Sequence, residues 1–364
     1  MSTHSAVATV AKKVPLEIIQ VPTTTPEAQQ VRLRVEWTAS TPLDLHQNDG
    51  ALLVKHPQVL GDSVAGTVVE AGSETKRLRV GDKVFGFTWK TQAQKAYQEF
   101  CTTDEWLLAK LPEGFTPMEA VTLPNNFVTV FHSLTTDLGL ETPWPKPDNY
   151  VPDDASSAIL VWGGSSSVGQ FAIQILRYYG YTNILATASQ KHHEKLRILG
   201  AHKVFEYNNP DVVESILKSG GDRGVPLIYD CIGSLKGSIG PIAKLAKKGA
   251  KVAILLPVVV RDSTDTEDPE YEMDVGKVAE WNYGVDVRGV RTHFYQDNEF
   301  FKHHLQPEIM PTLLKDGVVT PQKQRIVEGA TLLERAQKAM DMLRRKEASM
   351  ERLVWRVSDA YLVQ

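Results

Sequence analysis

Cysteine is nearly absent from the chain: Cys101 and Cys231 are the two found in 364 residues. Two thiols exclude a disulfide framework and a four-cysteine structural zinc site. Cys231 closes an apolar stretch and reads as a small buried thiol, and neither cysteine has the surroundings of a nucleophile. Basic runs are missing as well. Lys and Arg number 40 against 44 Asp and Glu, a net charge of −4, with no basic stripe or basic amphipathic face to receive nucleic acid or an anionic membrane. No apolar run has the ~20 residues of a membrane span. Met1-Ser2-Thr3-His4 lacks the charged and apolar regions of a secretory signal. Internal repeats and low-complexity tracts are absent too, so the expectation is a soluble, cytoplasmic protein. With 42% hydrophobic residues over this length, two domains are expected.

The most informative stretch is Ile159 to Gln174. A short apolar run, Ile159-Leu160-Val161-Trp162, enters the small residues Gly163-Gly164-Ser165-Ser166-Ser167 and leaves as an amphipathic segment with Val168, Ala172, Ile175, Leu176 and Tyr179 on one face. That is strand, tight turn, helix. Small residues let a pyrophosphate approach the backbone, and the helix start offers N–H groups and a positive dipole end. The spacing Gly164-x-Ser166-x-x-Gly169 is a dinucleotide fingerprint with serine for its middle glycine. Gly164, Ser165, Ser166, Ser167, Val168 and Gly169 are therefore cofactor-binding candidates.

A second apolar stretch, Asn183 to Ala188, ends at Ser189-Gln190-Lys191, where an NAD-preferring fold usually has an acidic residue for the ribose 2′-hydroxyl. Small and basic residues suit a 2′-phosphate, so Ser189 and Lys191 point to NADP(H). Further strand-like runs follow at Val204 to Tyr207, Leu227 to Gly233 and Ala250 to Leu256, separated by helical patterns. The fold class this predicts is α/β, with a doubly wound parallel sheet.

The chain resembles the medium-chain dehydrogenase/reductases, on the zinc-independent branch of quinone oxidoreductases and enoyl reductases. The residues that carry the resemblance are Gly61-Asp62-Ser63-Val64-Ala65-Gly66, Val80 to Gly86, Leu123-Pro124 with Thr129, the Gly163 to Gly169 turn, Leu199-Gly200-Ala201 and Asp230-Cys231-Ile232-Gly233. The segment from Leu138 to Ser157 further resembles fungal toxD-like proteins and trans-acting enoyl reductases.

The resemblance implies a GroES-like β-barrel catalytic domain over 1–128, completed by 318–364, and a Rossmann NADP-binding domain over 129–317. It places Thr129, Cys231, Ile232 and Leu255 against the cofactor, Thr129 and the Leu255 loop on the nicotinamide side, and Lys191 and Tyr207 at the 2′-phosphate. It puts Thr41, Asp62 and Ser63 where metal-dependent relatives have zinc-binding cysteine, histidine and glutamate. Zinc requires about three soft or borderline protein ligands, so no metal is expected.

Two proton donors are candidates. His46 stands at the position of a relay histidine, and its alternative is a partly exposed residue on a helix that Asp44 caps near Leu45. Tyr97 offers a phenol to a carbonyl, and core packing is its alternative. Asn125 and Asn126 are expected to cap the next helix or to bind ligand. The function implied is NADPH-dependent reduction of a conjugated small molecule, an enone, enal or quinone, in the cleft between domains. Hydrogen bonds there polarise the carbonyl. The rivals are a trans-acting enoyl reductase fed by a polyketide carrier protein and a non-catalytic NADPH sensor. A monomer or homodimer is expected.

Overall fold

A computed structural model of the chain describes residues 2–221 and 223–358. The last six residues of the C-terminal stretch expected to complete the first domain lie outside them. Two compact units form, Met1–Val128 with Ser263–Pro269 and Gln296–Gln364, and Thr129–Asp262 with Glu270–Tyr295.

The first unit is built on antiparallel strands. Gln30–Ala39 pairs with Ser63–Ala71 along one edge; along the other, its first half pairs with Phe100–Asp104 and its last residues with Arg352–Arg356. Lys83–Phe87, Leu108–Lys110 and Gln324–Ile326 extend this sheet. Alternation drives the arrangement. Val31, Leu33 and Val35 point inward and join Val64, Val68, Tyr97, Leu353 and Trp355 in one core. A hairpin of Thr3–Thr9 and Glu17–Pro22 lies in a separate three-stranded sheet.

The second unit is a six-stranded parallel sheet in the spatial order Lys203–Glu206, Ile184–Ala188, Ile159–Trp162, Leu227–Asp230, Lys251–Leu255, Asp286–Val290. Sequence order reverses between Ile159–Trp162 and Leu227–Asp230. A crevice at the carboxyl ends of such a pair is where open α/β sheets bind ligands. The central strand Ile159–Trp162 reads as an unbroken apolar run and is buried throughout, as expected of a parallel strand inside a sheet covered on both faces.

Three expectations are corrected. The helix expected near Leu45 spans Pro42–Gly50 with Thr41 at its N-cap, and Asp44 sits in its first turn. Proline is favoured at the first helical position, which moves the start forward. The acidic, irregular composition of Asp262 to Asp274 predicts a surface loop, yet this segment contains the strand Glu270–Glu272, paired with Val258–Arg261. Residues 296–317, expected with the cofactor domain, fall in the first unit. The Gln306 side chain explains this: its amide accepts from the Phe87 N–H at 2.7 Å and donates to the Phe87 carbonyl at 3.1 Å, and Arg77 donates to the Pro307 carbonyl.

Candidate functional site

In the second unit the strand Ile159–Trp162 delivers the chain into the Gly163 turn, from which the helix Ser167–Tyr178 starts. Gly163 has φ +82°, and its N–H donates to the Thr187 hydroxyl at 2.9 Å, while the Gly164 N–H donates to the Thr187 carbonyl at 2.8 Å. The turn is thus anchored to the neighbouring strand. Ser166 is the N-cap, its Oγ accepting the Gly169 N–H at 3.0 Å. Serine at the fingerprint's middle position has this local use, which the residue pattern did not reveal.

The cradle fits a pyrophosphate. A Cβ on Gly169 would lie 2.4 Å from the Gly163 carbonyl oxygen and 2.8 Å from Gly164 Cα, so helix and turn approach as closely as backbone permits. Ser165, Ser166 and Ser167 are half-buried around it, and Val168 is buried. Ile232, exposed, covers Gly163, and Cys231 hydrogen-bonds Ser166. Burial holds the Cys231 thiol well above its usual range, so it stays protonated. Leu255 is half-buried at the end of its strand. The Thr129 hydroxyl lies 3.0 Å from that of Thr292.

At the ends of the next strands Ser189 is half-buried and Lys191 and Tyr207 are exposed. Sequence reasoning missed Glu206. Its carboxylate accepts the Gln190 N–H at 2.6 Å, so an acidic group from the adjacent strand occupies the turn that the linear pattern left without one. His193 is fixed by the Ala188 carbonyl at 3.0 Å.

In the first unit, directed hydrogen bonds run from Trp355 Nε1 to Ser40 Oγ at 2.9 Å, on to the Tyr97 hydroxyl at 2.7 Å, and from Tyr97 to Asp44 Oδ2 at 2.9 Å. Asp44 also accepts the N–H groups of Thr41 at 2.7 Å and Gly61 at 3.0 Å. Tyr97 is 1% exposed; burial and then the Asp44 charge push its phenol well above the ordinary range. Asp44 is raised to about 6 by burial and by Asp62. His46 is half-buried on the same helix. Asn125 and Asn126 lie inside the first turn of the helix Pro124–His132 rather than before it, with Asn125 Nδ2 donating to Asp62 Oδ2 at 2.5 Å and Asn126 Nδ2 to the Thr122 carbonyl at 3.5 Å. Asp62 Oδ1 receives the Ser63 hydroxyl at 3.0 Å. Lys95, buried beside these carboxylates, has its ammonium pulled down by desolvation. Among the described residues no three His, Cys, Asp or Glu side chains cluster as metal ligands.

Two family models match the chain, one described as alcohol dehydrogenase GroES-like domain over residues 27–129 and one as zinc-binding dehydrogenase over 167–255. The chain belongs to the medium-chain dehydrogenase/reductases, and within them to the enoyl reductase type. Among its relatives, the trans-enoyl reductase himH of Aspergillus japonicus is 33% identical over 213 residues, 56% of this chain and 59% of that protein. The trans-enoyl reductase tazE of Aspergillus terreus is 31% identical across 64% of this chain and 78% of its own length. LovC, the enoyl reductase component of the lovastatin nonaketide synthase of Aspergillus terreus, is 27% identical across 90% and 89%. The crystal structure of the CurK enoyl reductase superposes with a TM-score of 0.75 over 98% of this chain and 99% of that one; at 18% identity the likeness is one of fold.

Proposed function

We infer that the protein is an NADPH-dependent reductase of a conjugated carbonyl compound, an enone, enal or quinone, working without zinc. The observation that carries the reading is the Gly163–Gly169 cradle, where a Cβ on Gly169 would meet backbone at 2.4 Å and Ser166 caps the helix. Gly164 to Gly169 would hold the pyrophosphate, Lys191, Ser189 and Tyr207 the 2′-phosphate, and Thr129, Cys231, Ile232 and Leu255 the nicotinamide half. The bound dinucleotide supplies a hydride.

The chain's own work is orientation and charge stabilisation. Thr41 and Ser63 offer neutral hydroxyls where zinc would need stronger ligands, and both Asp62 oxygens are engaged by Ser63 and Asn125. The Tyr97 phenol donates to Asp44, and Tyr97, His46 or water would supply the final proton.

A second reading is favoured by lovC, a synthase component aligned along 90% of this chain: the acyl substrate arrives on the carrier protein of a polyketide synthase. Turnover of NADPH with enals, enones, quinones and acyl thioesters tests both. Consumption with the small molecules supports the first; restriction to carrier-bound thioester supports the second. NADPH binding without turnover on the whole panel would leave a sensor.

A further inference from the structure

We propose that the helical segment from Leu235 to Leu245 in the second unit, with the turn that follows it, is a docking face for an acidic helix of a partner protein. This role is separate from the reductase reading and does not rest on it.

No carboxylate or arginine occurs between Asp230 and Arg261, whereas five lysines do. Lys251 is half-buried and donates to the Leu138 carbonyl at 3.1 Å. Lys236, Lys244, Lys247 and Lys248 are exposed. A π turn, Leu235–Ile239, runs on into the helix Gly240–Leu245, and Ile239, Ile242, Leu245 and Ala246 pack into the core of the unit. The opposite side is left to Lys236, Gly240 and Lys244, roughly one turn apart, and continues to Lys247 as a stripe about 16 Å long at 1.5 Å per residue. Spread over residues 236–248, these lysines form no run in the linear sequence, so the expectation of a chain without a basic face is corrected: folding assembles one.

Two residues along the stripe do nothing for the fold. Lys236 lies in the first turn after the N-cap Ser234, where the helix dipole disfavours a cation. Gly240 has φ −58° and ψ −51°, ordinary helical values, and a Cβ there would meet nothing within 4 Å. No turn or close approach within the unit requires a glycine at that point, and glycine inside a helix is less stable than alanine. Local rules broken without a structural reason mark places under another demand. The gap at Gly240 lets a second helix come close to the backbone while its acids reach Lys236 on one side and Lys244 on the other. At the far end, Asn282 Nδ2 donates to the carbonyls of Ala243 and Ala246 at 3.4 and 2.7 Å. Beside it Tyr283 is 87% exposed, with its ring centre 5.8 Å from Lys248 Nζ. A bare aromatic closing a charged stripe is the kind of anchor that protein interfaces use.

The ammonium groups are available. Those of Lys236, Lys244 and Lys247 make no ion pair or hydrogen bond among the described residues. The helix Val212–Gly220 packs alongside, and its Glu214 and the preceding Asp211 pair with none of them. A protein fits this face better than a nucleic acid or a membrane. The stripe holds no arginine fork and one aromatic in place of a stacking series. The chain's net charge of −4 also gives a long polyanion or a charged bilayer no attraction beyond the roughly 8 Å over which charge is felt at physiological salt.

The test titrates the whole protein with a fluorescently labelled helical peptide whose glutamates fall one turn apart along one face. Binding with a micromolar Kd that weakens about tenfold from low to physiological salt is expected, and the same peptide with glutamine for glutamate is expected not to bind. Lys236→Gln combined with Lys244→Gln should weaken the acidic peptide about tenfold or more. Gly240→Leu separates docking from plain attraction. It keeps every charge, should match or exceed the wild-type Tm because leucine is the better helix former, and is expected to lose about tenfold or more in peptide affinity because its side chain fills the gap. Undiminished affinity in Gly240→Leu overturns the proposal and leaves a diffuse patch of charge. Tighter binding of a short DNA duplex or of phosphatidylserine vesicles overturns it in favour of a nucleic-acid or membrane contact, and absence of peptide binding at low salt overturns it outright.

Discussion

At the scale of single residues, the tightest constraint is Gly169. Adding one methyl group places carbon 2.4 Å from the Gly163 oxygen, so Gly169→Ala must push helix and turn apart. Its expected effect is at least a tenfold loss of NADPH affinity in a fluorescence titration, and Gly169→Leu should abolish binding. Ser166→Gly is expected to retain binding with a stability loss of a few tenths of a kcal/mol, because glycine is tolerated at N-caps, whereas Ser166→Ala should lose about 1 kcal/mol in denaturant unfolding. The turn was legible from spacing because close backbone approach permits so few residue types. Tyr97 was legible only as an aromatic of uncertain use. Its partners Ser40 and Asp44 lie 57 and 53 positions away, and no local pattern announces such a contact.

At the scale of elements, the proposed cofactor preference rests on strand ends. Lys191 follows one strand and Glu206 ends the next, its carboxylate on the Gln190 N–H at 2.6 Å. On the proposed reading the two act in opposition on a 2′-phosphate. Lys191→Ala should weaken NADPH about tenfold or more and leave NADH unchanged, a charged contact being worth about 1.5–3 kcal/mol. Glu206→Gln should tighten NADPH. Equal NADPH and NADH affinities in the wild type would remove the basis of both.

The turn after Leu227–Asp230 carries a pH effect. Asp230 Oδ1 accepts the Ile232 and Gly233 N–H groups and Oδ2 the Ser238 hydroxyl, while burial raises the carboxyl to about 6. A carboxyl with a folded pKa above its unfolded value of 3.8 binds its proton more tightly when folded. Its burden on stability is therefore fully present above about pH 6 and is relieved as pH falls toward 3.8. Asp230→Asn keeps the acceptor for both N–H groups, so its stability relative to wild type should rise between pH 5 and pH 7, by an amount on the order of 1–3 kcal/mol. A flat difference across that range would show that Asp230 is not the titrating group. The strands themselves were readable from their apolar runs. The helix Pro42–Gly50 was misplaced by three residues because Asp44 looks like a cap in sequence, while its carboxylate reaches back to the Thr41 N–H from the first turn.

At the scale of the whole molecule, activity is expected to survive prolonged chelation, given neutral Thr41 and Ser63 and an Asp62 whose oxygens are engaged. Loss of turnover on chelation, restored by zinc, is the result that would reverse this. Most of the two-unit plan was legible, since alternation and buried parallel strands leave different marks. The allocation of 296–317 was not, because the contacts behind it, the Gln306 amide on the Phe87 backbone and Arg77 on the Pro307 carbonyl, join residues more than two hundred positions apart.

The pairing of Gln30–Ala39 with Arg352–Arg356 also gives the chain a timetable. On a ribosome making roughly 5–20 residues per second, the last strand follows the first by about 15–60 s. Throughout that interval Trp37, Thr38 and Ala39 present an open sheet edge, the kind of surface that recruits other chains. The whole parallel sheet, Ile159 to Val290, is synthesised in the meantime from residues of its own unit. The unit begun first is thus the one finished last, and a nascent chain stalled before residue 352 would carry a complete nucleotide fold beside an unclosed barrel, a natural client for chaperones.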